Sequence, residues 1–152
     1  MAYEQGHFDT GRVYVERLLE GVRRARPVAN AEYVYAAQFI PMIARIVSIP
    51  DWVSIAEVAA NIIIAFPSAT PIYTQGARLG LSLIAAARGD VELAADQYSA
   101  LERQRGLCYL YISIDRVLGL LAATLGRLEQ AVNHFENALV FCRQAAYLER
   151  VA

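Results

Sequence analysis

The sequence predicts an all-α fold, a right-handed α-α solenoid of about seven helices arranged as antiparallel pairs. The main support is the stretch 118–139, which reads as a helix, a stop at Gly126 and a second helix. A looser copy occupies 79–98 and has its stop at Gly89, 37 positions earlier. A helix-turn-helix unit repeated at such a spacing is typical of helical solenoids. Since no stretch alternates apolar and polar residues between hairpin turns, we expect no β-sheet.

The composition predicts one domain whose outer faces must be covered. A length of 152 residues fits a flexible lead-in over 1–8 and a single helical-repeat domain over 9–152. The chain is 57% apolar and only 19% charged, so neighbouring repeats or a second copy of the chain are expected to cover those faces. Its net charge of −1 gives no electrostatic reason to expect a nucleic-acid partner.

Three further patterns predict a cytoplasmic protein that does not cross a membrane. The longest apolar stretches, such as 79–87, fall short of the ~20 residues that span a bilayer. The first residues, 1–7, lack the basic and then apolar plan of a secretory signal. Cys108 and Cys142 have no CxxC spacing, so we expect reduced, buried cysteines rather than a disulfide framework or a zinc site.

The first predicted helix follows the lead-in and ends in a cluster of arginines. Asp9 or Thr10 is expected to cap it, and it extends to about Arg24. Pro27 discourages its continuation, and the cations over 23–26 suit a helix C-terminus. We interpret that cluster as a solvated helix end rather than a nucleic-acid patch.

The second and third helices are predicted from caps and helical spacing. Asn30 is a good N-cap for a helix over about 31–47, in which Pro41 predicts a kink. Asp51 is the expected N-cap of a third helix over about 52–65, and Ser54 with Glu57 offers an alternative capping box one turn later.

The C-terminal half is punctuated by clear start and stop residues. Thr70 and Asp90 are expected caps, Pro71 suits a first helical position, and Gly89 and Gly106 are expected to end the helices before them. The predicted fourth to seventh helices cover about 72–88, 91–104, 108–125 and 128–147. Short connections predict antiparallel pairs over about 31–65, 72–104 and 108–147.

The repeated unit has the small-then-aromatic pattern of the tetratricopeptide repeat, whose period is ~34. In the later copy, Leu118-Gly119 is followed by Ala131 and Phe135 at the expected offsets. Small residues let the paired helices touch, and the aromatic ring fills the space between them. The positions expected to pack the repeats are Gly89, Ala94, Tyr98, Gly119, Gly126, Ala131, Phe135 and Ala138. The aromatic positions of the first helix hold other residues and the closing proline is absent, so the repeat is degenerate.

A series of short segments also resembles a bacterial family. They are Ala31-Glu32-Tyr33, the stretch 40–46, Ser68-Ala69-Thr70-Pro71, Arg88-Gly89-Asp90, the stretch 115–121 and Leu125-Gly126-Arg127-Leu128. Together, from about Arg12 to Arg150, they resemble the tetratricopeptide-like C-terminal region of large signalling ATPases. In that family an ATP-binding module is joined to an adenylate-cyclase-like or a LuxR-type DNA-binding domain. The resemblance implies a regulatory or scaffolding segment, a fragment or stand-alone relative whose catalysis cannot be carried over, because the chain contains no GxxxxGK[ST] loop.

No pattern in the sequence predicts an enzyme, a cofactor or a metal site. His134 and Glu136 are two positions apart and point to different faces of a helix, so they make a poor metal or acid–base pair. We interpret His134 as a surface or inter-helix histidine, and His7 belongs to the lead-in.

Two polar features are candidates for partner binding. Arg78, Asp115 and Arg116 could form a patch for a partner's carboxylate or peptide backbone, although we favour an inter-repeat salt bridge between Arg78 and Asp115. The second feature is a set of tyrosines that could line a ligand groove, although aromatics at helical spacing usually belong to the core. They are Tyr33, Tyr35, Tyr109 and Tyr111, of which the last two cannot share one helical face.

The sequence therefore predicts a non-catalytic module for protein–protein interaction or regulation, with a protein or peptide partner. Two alternatives remain open. One is a small-molecule sensor, and the other is a self-association module. Since an apolar helix near the end of the chain lacks a polar capping repeat, we expect a homodimer formed through the seventh or the leading helix.

Overall fold

The computed structural model describes residues 5–47, 50–110 and 112–144 of the chain. Seven α-helices dominate this part, joined by one 3₁₀ turn and two strands of two residues each, which confirms the predicted all-α class. None of the helices described is long and apolar enough to cross a membrane. The chain divides into two compact units, Met1–Ile84 and Ala85–Ala152.

The N-terminal unit is built from small apolar side chains on successive helices. Its elements are α1 (Phe8–Arg24), α2 (Ala31–Ile43), α3 (Pro50–Ala65) and most of α4 (Pro71–Arg88). Helix α1 packs against α2, and α2 packs against α3. The fully buried core residues of α2 and α3 are Ala36, Ala37, Ile40, Ala56, Ala59, Ala60 and Ile63. Because most of them are alanines, the helices can approach closely.

Helix α4 touches the backbone of α2 at Gly80. A Cβ atom there would lie 1.9 Å from the carbonyl oxygen of Ala37, so only glycine fits. Within α2, that carbonyl would normally accept a hydrogen bond from residue 41, but Pro41 has no N–H to donate. Gly80 of α4 therefore lies against the Ala37 carbonyl, which receives no hydrogen bond from Pro41 within α2.

Several predicted helix boundaries in this unit are wrong by a few residues. Helix α1 begins at Phe8, so Asp9 and Thr10 lie inside it and neither caps it. Helix α3 begins at Pro50, because a proline needs no donor at the first helical position, and Asp51 is therefore helical.

Helix α2 has the predicted cap but is shorter than predicted. Asn30 Oδ1 accepts a hydrogen bond from the backbone N–H of Tyr33 at 3.0 Å. The helix ends at Ile43 rather than near Val47, two residues after Pro41, and residues 44–47 form turns. Helix α4 begins at Pro71, as predicted.

The C-terminal unit consists of three helices and a small hairpin. After the last turn of α4 come α5 (Val91–Leu101), a 3₁₀ turn (Glu102–Gln104), β1 (Cys108–Tyr109), β2 (Ile112–Ser113), α6 (Ile114–Thr124) and α7 (Leu128–Gln144). Helix α6 packs against both α5 and α7. The predicted end of the seventh helix near Tyr147 lies outside the described residues.

The two helix-ending glycines form the same turn at an offset of 37 residues. Gly89 and Gly126 have φ angles of +67° and +72°, a region that favours glycine. The backbone N–H of Asp90 donates to the carbonyl of Ala85 at 3.0 Å. At the matching positions, Arg127 N–H donates to the carbonyl of Ala122 at 2.9 Å. Both turns have the Schellman pattern, and in both the next helix starts immediately afterwards.

The segment before α6 is a β-hairpin, so the expected absence of a sheet is wrong, and the predicted helix over 108–125 is confirmed only for Ile114–Thr124. Strands β1 and β2 are antiparallel, with Cys108 opposite Ser113 and Tyr109 opposite Ile112. Leu110 adopts a positive φ of 53° at the tip, where a hairpin usually has glycine or asparagine. The sequence lacks that turn signal, and aromatic and β-branched residues favour strands at this position.

Helices α6 and α7 interlock at Gly119. A Cβ atom at Gly119 would lie 2.6 Å from Cε1 of the Phe135 ring. Gly119 is buried, as are Ala131 and Ala138 on the facing side of α7. The absence of a side chain at Gly119 thus makes the space that the aromatic ring fills.

Candidate functional site

The most unusual feature of the C-terminal unit is a buried chain of polar groups that joins all three of its helices. Asp115 in the first turn of α6, His134 on α7 and Tyr98 on α5 form this chain, which we call the Asp115 network. His134 Nδ1 lies 3.0 Å from Asp115 Oδ1, and His134 Nε2 lies 3.0 Å from the Tyr98 hydroxyl. Asp115 and His134 are only 3% and 4% exposed.

The loop before the hairpin completes the network at both ends. The backbone N–H of Gly106 donates to Asp115 Oδ2 at 2.6 Å, and Arg105 donates to the Tyr98 hydroxyl oxygen at 3.4 Å. Gly106 has a φ of +76°, so its backbone conformation favours glycine. The same loop therefore supplies a donor to the carboxylate and a cation to the phenol.

The hydrogen bonds run from Asp115 through both nitrogens of the His134 imidazole to Tyr98. An ionised carboxylate can only accept, so His134 donates from Nδ1 to Asp115, and its Nε2 forms a second hydrogen bond with the Tyr98 hydroxyl. Tyr98 oxygen then accepts from Arg105. Both carboxylate oxygens are thereby hydrogen-bonded, and the part of the chain that the structure describes has no buried side-chain N or O atom without a partner.

Local sequence explains why the carboxylate is tolerated in the core. Asp115 lies in the first turn of α6, where the helix dipole favours a negative charge. A buried carboxylate would otherwise be costly, but two hydrogen bonds replace the lost water. A second cation, the Arg127 guanidinium, lies 5.6 Å from the centroid of the Tyr98 ring.

A surface cleft of about 410 Å³ opens beside the carboxylate. Its lining residues are Arg105, Gly106, Asp115, Asn137, Val140, Phe141 and Gln144. The guanidinium can bind a carboxylate, the two side-chain amides can donate and accept, and the apolar pair can pack against an aliphatic group. The Asp115 carboxylate that lines the cleft is hydrogen-bonded to Gly106 and His134.

The predicted polar patch is spread over both units of the chain. Arg78 belongs to the N-terminal unit, whereas Asp115 and Arg116 belong to the C-terminal unit. Asp115 points inward to His134, and Arg116 is exposed. Both the patch and the favoured salt bridge between Arg78 and Asp115 stay predictions.

Of the two interpretations of His134, a surface or an inter-helix histidine, the structure supports the second, because the side chain is buried between helices. Its burial against Tyr98 was not expected, because Tyr98 was assigned only a packing role. A partial signal is the repeat spacing of 37 residues, which makes His134 equivalent to Gln97, the residue next to Tyr98 in the sequence.

The predicted groove tyrosines differ in their exposure. Tyr33 is buried in α2, Tyr35 is exposed, and Tyr109 is buried in the hairpin. Tyr111 lies outside the described residues.

The expected burial of both cysteines is wrong for Cys108. Its residue is exposed because it lies on the hairpin rather than in a helix, while Cys142 is half-buried, and both are free thiols. Partial burial of the sulfur raises the pKa of Cys108 above its ordinary value, and the neighbouring Cys142 thiolate adds to the rise.

Comparisons with known protein families, with curated proteins and with solved structures find no match to this chain. Within the described residues, no group of three or more histidine, cysteine, aspartate or glutamate side chains could hold a metal ion.

Proposed function

We propose that the chain is a non-catalytic, tetratricopeptide-like helical-repeat module that binds a protein or peptide partner. In this proposal it works in the cytoplasm as a regulatory or scaffolding segment, a fragment or relative of bacterial signalling ATPases and transcriptional regulators. A right-handed solenoid would present the first helix of each pair on its inner surface. In this proposal the repeated helix pairs form a rigid support, and the partner binds to the surface beside them.

The observation that carries the proposal is the pair of matching turns at Gly89 and Gly126. Their φ angles and their hydrogen bonds agree at an offset of 37 residues. The first helical N–H bonds also correspond, because Ala94 donates to Asp90 at 2.9 Å and Ala131 donates to Arg127 at 3.0 Å. Two such junctions are what a chain of repeated helix pairs requires.

The Asp115 network supports a structural rather than a catalytic use of its polar residues. A catalytic carboxylate or imidazole needs an atom that can reach a substrate. Here the carboxylate oxygens and the imidazole nitrogens are hydrogen-bonded to protein groups. The network ties α5, α6 and α7 together and so holds the wall of the cleft in one position.

The cleft favours a peptide partner over a small-molecule effector. A sensor site would be expected to turn several polar atoms towards the ligand. The lining of this cleft includes a buried carboxylate whose two oxygens already accept hydrogen bonds from the protein, and the exposed residues Arg105, Asn137 and Gln144. A partner segment with an acidic group and one aliphatic side chain would match the charge of Arg105 and the apolar pair Val140 and Phe141.

A selection from displayed peptides with free carboxyl termini tests this proposal. Peptides enriched on the wild-type chain should bind Arg105→Glu at least about tenfold more weakly, because the charge of Arg105 is reversed. Arg103→Glu is the matched control, since Arg103 is also exposed but does not line the cleft. Failure to enrich any peptide, or equal loss in both variants, would count against the proposal.

A further inference from the structure

Helix α7 has one stripe that is buried in the C-terminal unit and, beside it, an apolar stripe that is largely exposed. The buried stripe contains Ala131, His134 and Ala138. The other, which we call the outer stripe, consists of Leu128, Val132, Phe135, Leu139 and Cys142. Its three aliphatic members are 68%, 54% and 55% exposed in sequence order. Phe135, whose ring also packs against Gly119, and Cys142 are half-buried and lie at the border between the two stripes.

The spacing of the outer stripe is that of a coiled-coil seam. Its members follow one another at intervals of four, three, four and three residues, the alternation that gives an apolar heptad repeat. A helix that only faces its own core shows a broad stripe, whereas a narrow stripe at this spacing suits a second, nearly parallel or antiparallel helix. Contact with water makes this exposed apolar row unfavourable by about 25 cal/mol per Å².

The charges beside the outer stripe distinguish the two orientations of such a helix. Glu129, Glu136 and Arg143 lie seven residues apart along one flank, and all three are exposed. If a second copy of α7 lies antiparallel, the two ends of the flank face each other, and Glu129 meets Arg143 of the second copy. The two-fold symmetry forms this attractive pair twice, whereas the repulsive contact between Glu136 of one copy and Glu136 of the other occurs once. In a parallel pair the charged residues of one copy would face the flank of the other copy that contains Ala131 and Ala138, neither of which can form an ion pair.

We infer that the outer stripe of α7 packs against the same stripe of a second copy, antiparallel, with Glu129 and Arg143 paired across both ends. We choose a second copy of the chain as the partner for this surface because the surface is self-complementary. A single two-fold axis near residues 135 and 136 brings the apolar row onto itself and places opposite charges of the flank next to each other. This inference goes beyond the proposed function and does not depend on it, since the cleft near Arg105 and the outer stripe are different surfaces of the unit.

The first test compares two identical substitutions on adjacent faces of α7. Val132→Glu puts a charge into the outer stripe and should raise the dimer dissociation constant at least about a hundredfold in sedimentation equilibrium. Val140→Glu is the matched control, because Val140 is 49% exposed but lies on the cleft side. It should leave the constant within about threefold. A wild-type chain that stays monomeric up to millimolar concentration, or a dimer equally sensitive to both variants, would overturn the inference.

The second test addresses the orientation by exchanging charges. Glu129→Arg and Arg143→Glu should each weaken the dimer about tenfold, because each replaces two attractive pairs by two repulsive ones. The double variant restores opposite charges in the antiparallel arrangement alone and should return to within about threefold of wild type. If the double variant is as weak as the singles, the antiparallel pairing is wrong. Peptide binding by the monomeric Val132→Glu variant separates this result from the proposed function, which predicts that the cleft still binds.

Discussion

His134 Nδ1 lies 3.0 Å from Asp115 Oδ1, and this contact joins the middle of α7 to the first turn of α6. The turn between these helices is formed by neighbouring residues around Gly126, whereas Asp115 and His134 are 19 residues apart in the sequence. Because Tyr98 bonds to the opposite nitrogen of the same imidazole at 3.0 Å, one side chain fixes three helices relative to one another.

Asp115→Asn should destabilise the C-terminal unit by about 2–4 kcal/mol. The amide keeps the shape of the carboxylate but loses the charge that two buried donors stabilise, and one of its ends places an N–H group against another donor. Urea unfolding followed by circular dichroism measures the change. Asp96→Asn on the exposed side of α5 is the control and should change the free energy of unfolding by less than about 0.5 kcal/mol. Equal effects of the two variants would show that the network adds no stability.

Tyr98→Phe should cost about 1–2 kcal/mol, because it leaves the buried Nε2 of His134 without its hydrogen-bond partner while the ring is kept. In a double variant with Asp115→Asn, the two costs should not add, since both residues act through the same imidazole. Tyr35→Phe, at an exposed tyrosine, is expected to have no effect on thermal unfolding. Strict additivity of the two network substitutions would contradict a connected chain of hydrogen bonds.

The elements that the sequence predicted well are those with a local physical cause. Gly89 and Gly126 mark helix ends because the left-handed conformation suits a residue without a Cβ atom. Asn30 and Asp90 mark helix starts because their side chains accept from the backbone N–H groups of Tyr33 and Leu93 at 3.0 Å.

The features that were missed depend on residues distant in sequence or on exceptions to a local rule. The hairpin escaped prediction because Leu110 takes a positive φ without being glycine. The Asp115 network escaped because its members are 19 and 36 residues apart along the chain, and helical periodicity does not show which polar side chains meet. Gly80 was part of the recognised stretch, but its contact with Ala37 follows from the packing of α4 on α2.

Alkylation of Cys108 by iodoacetamide should reach half of its maximal rate at a higher pH than alkylation of a free cysteine. The pKa of this thiol is raised, first by burial and then by Cys142, so less thiolate is present at any given pH. Cys142→Ser removes the second cause and should shift the rate profile of Cys108 back towards lower pH. The same sign applies to folding: the contribution of Cys108 to stability is present below the unfolded-state pKa and is lost as the pH rises through the folded-state pKa. A profile that Cys142→Ser moves upward, or an acid-shifted wild-type profile, would contradict this account.

Gly119→Ala should destabilise the α6–α7 hairpin by about 1–3 kcal/mol even though alanine favours helices. The new Cβ atom would lie 2.6 Å from Cε1 and 2.7 Å from Cδ1 of Phe135, so the aromatic ring or the helix must move. Gly21→Ala is the matched control. At that position the nearest atom is Cγ of Glu32 at 3.2 Å, the stem of a flexible side chain, and the gain in helix propensity should make the variant neutral or more stable. Adding Phe135→Leu to Gly119→Ala should recover part of the lost stability, because the smaller side chain leaves room for the methyl group. If Gly119→Ala instead raises the melting temperature as Gly21→Ala does, close contact between α6 and the aromatic ring does not hold the hairpin together.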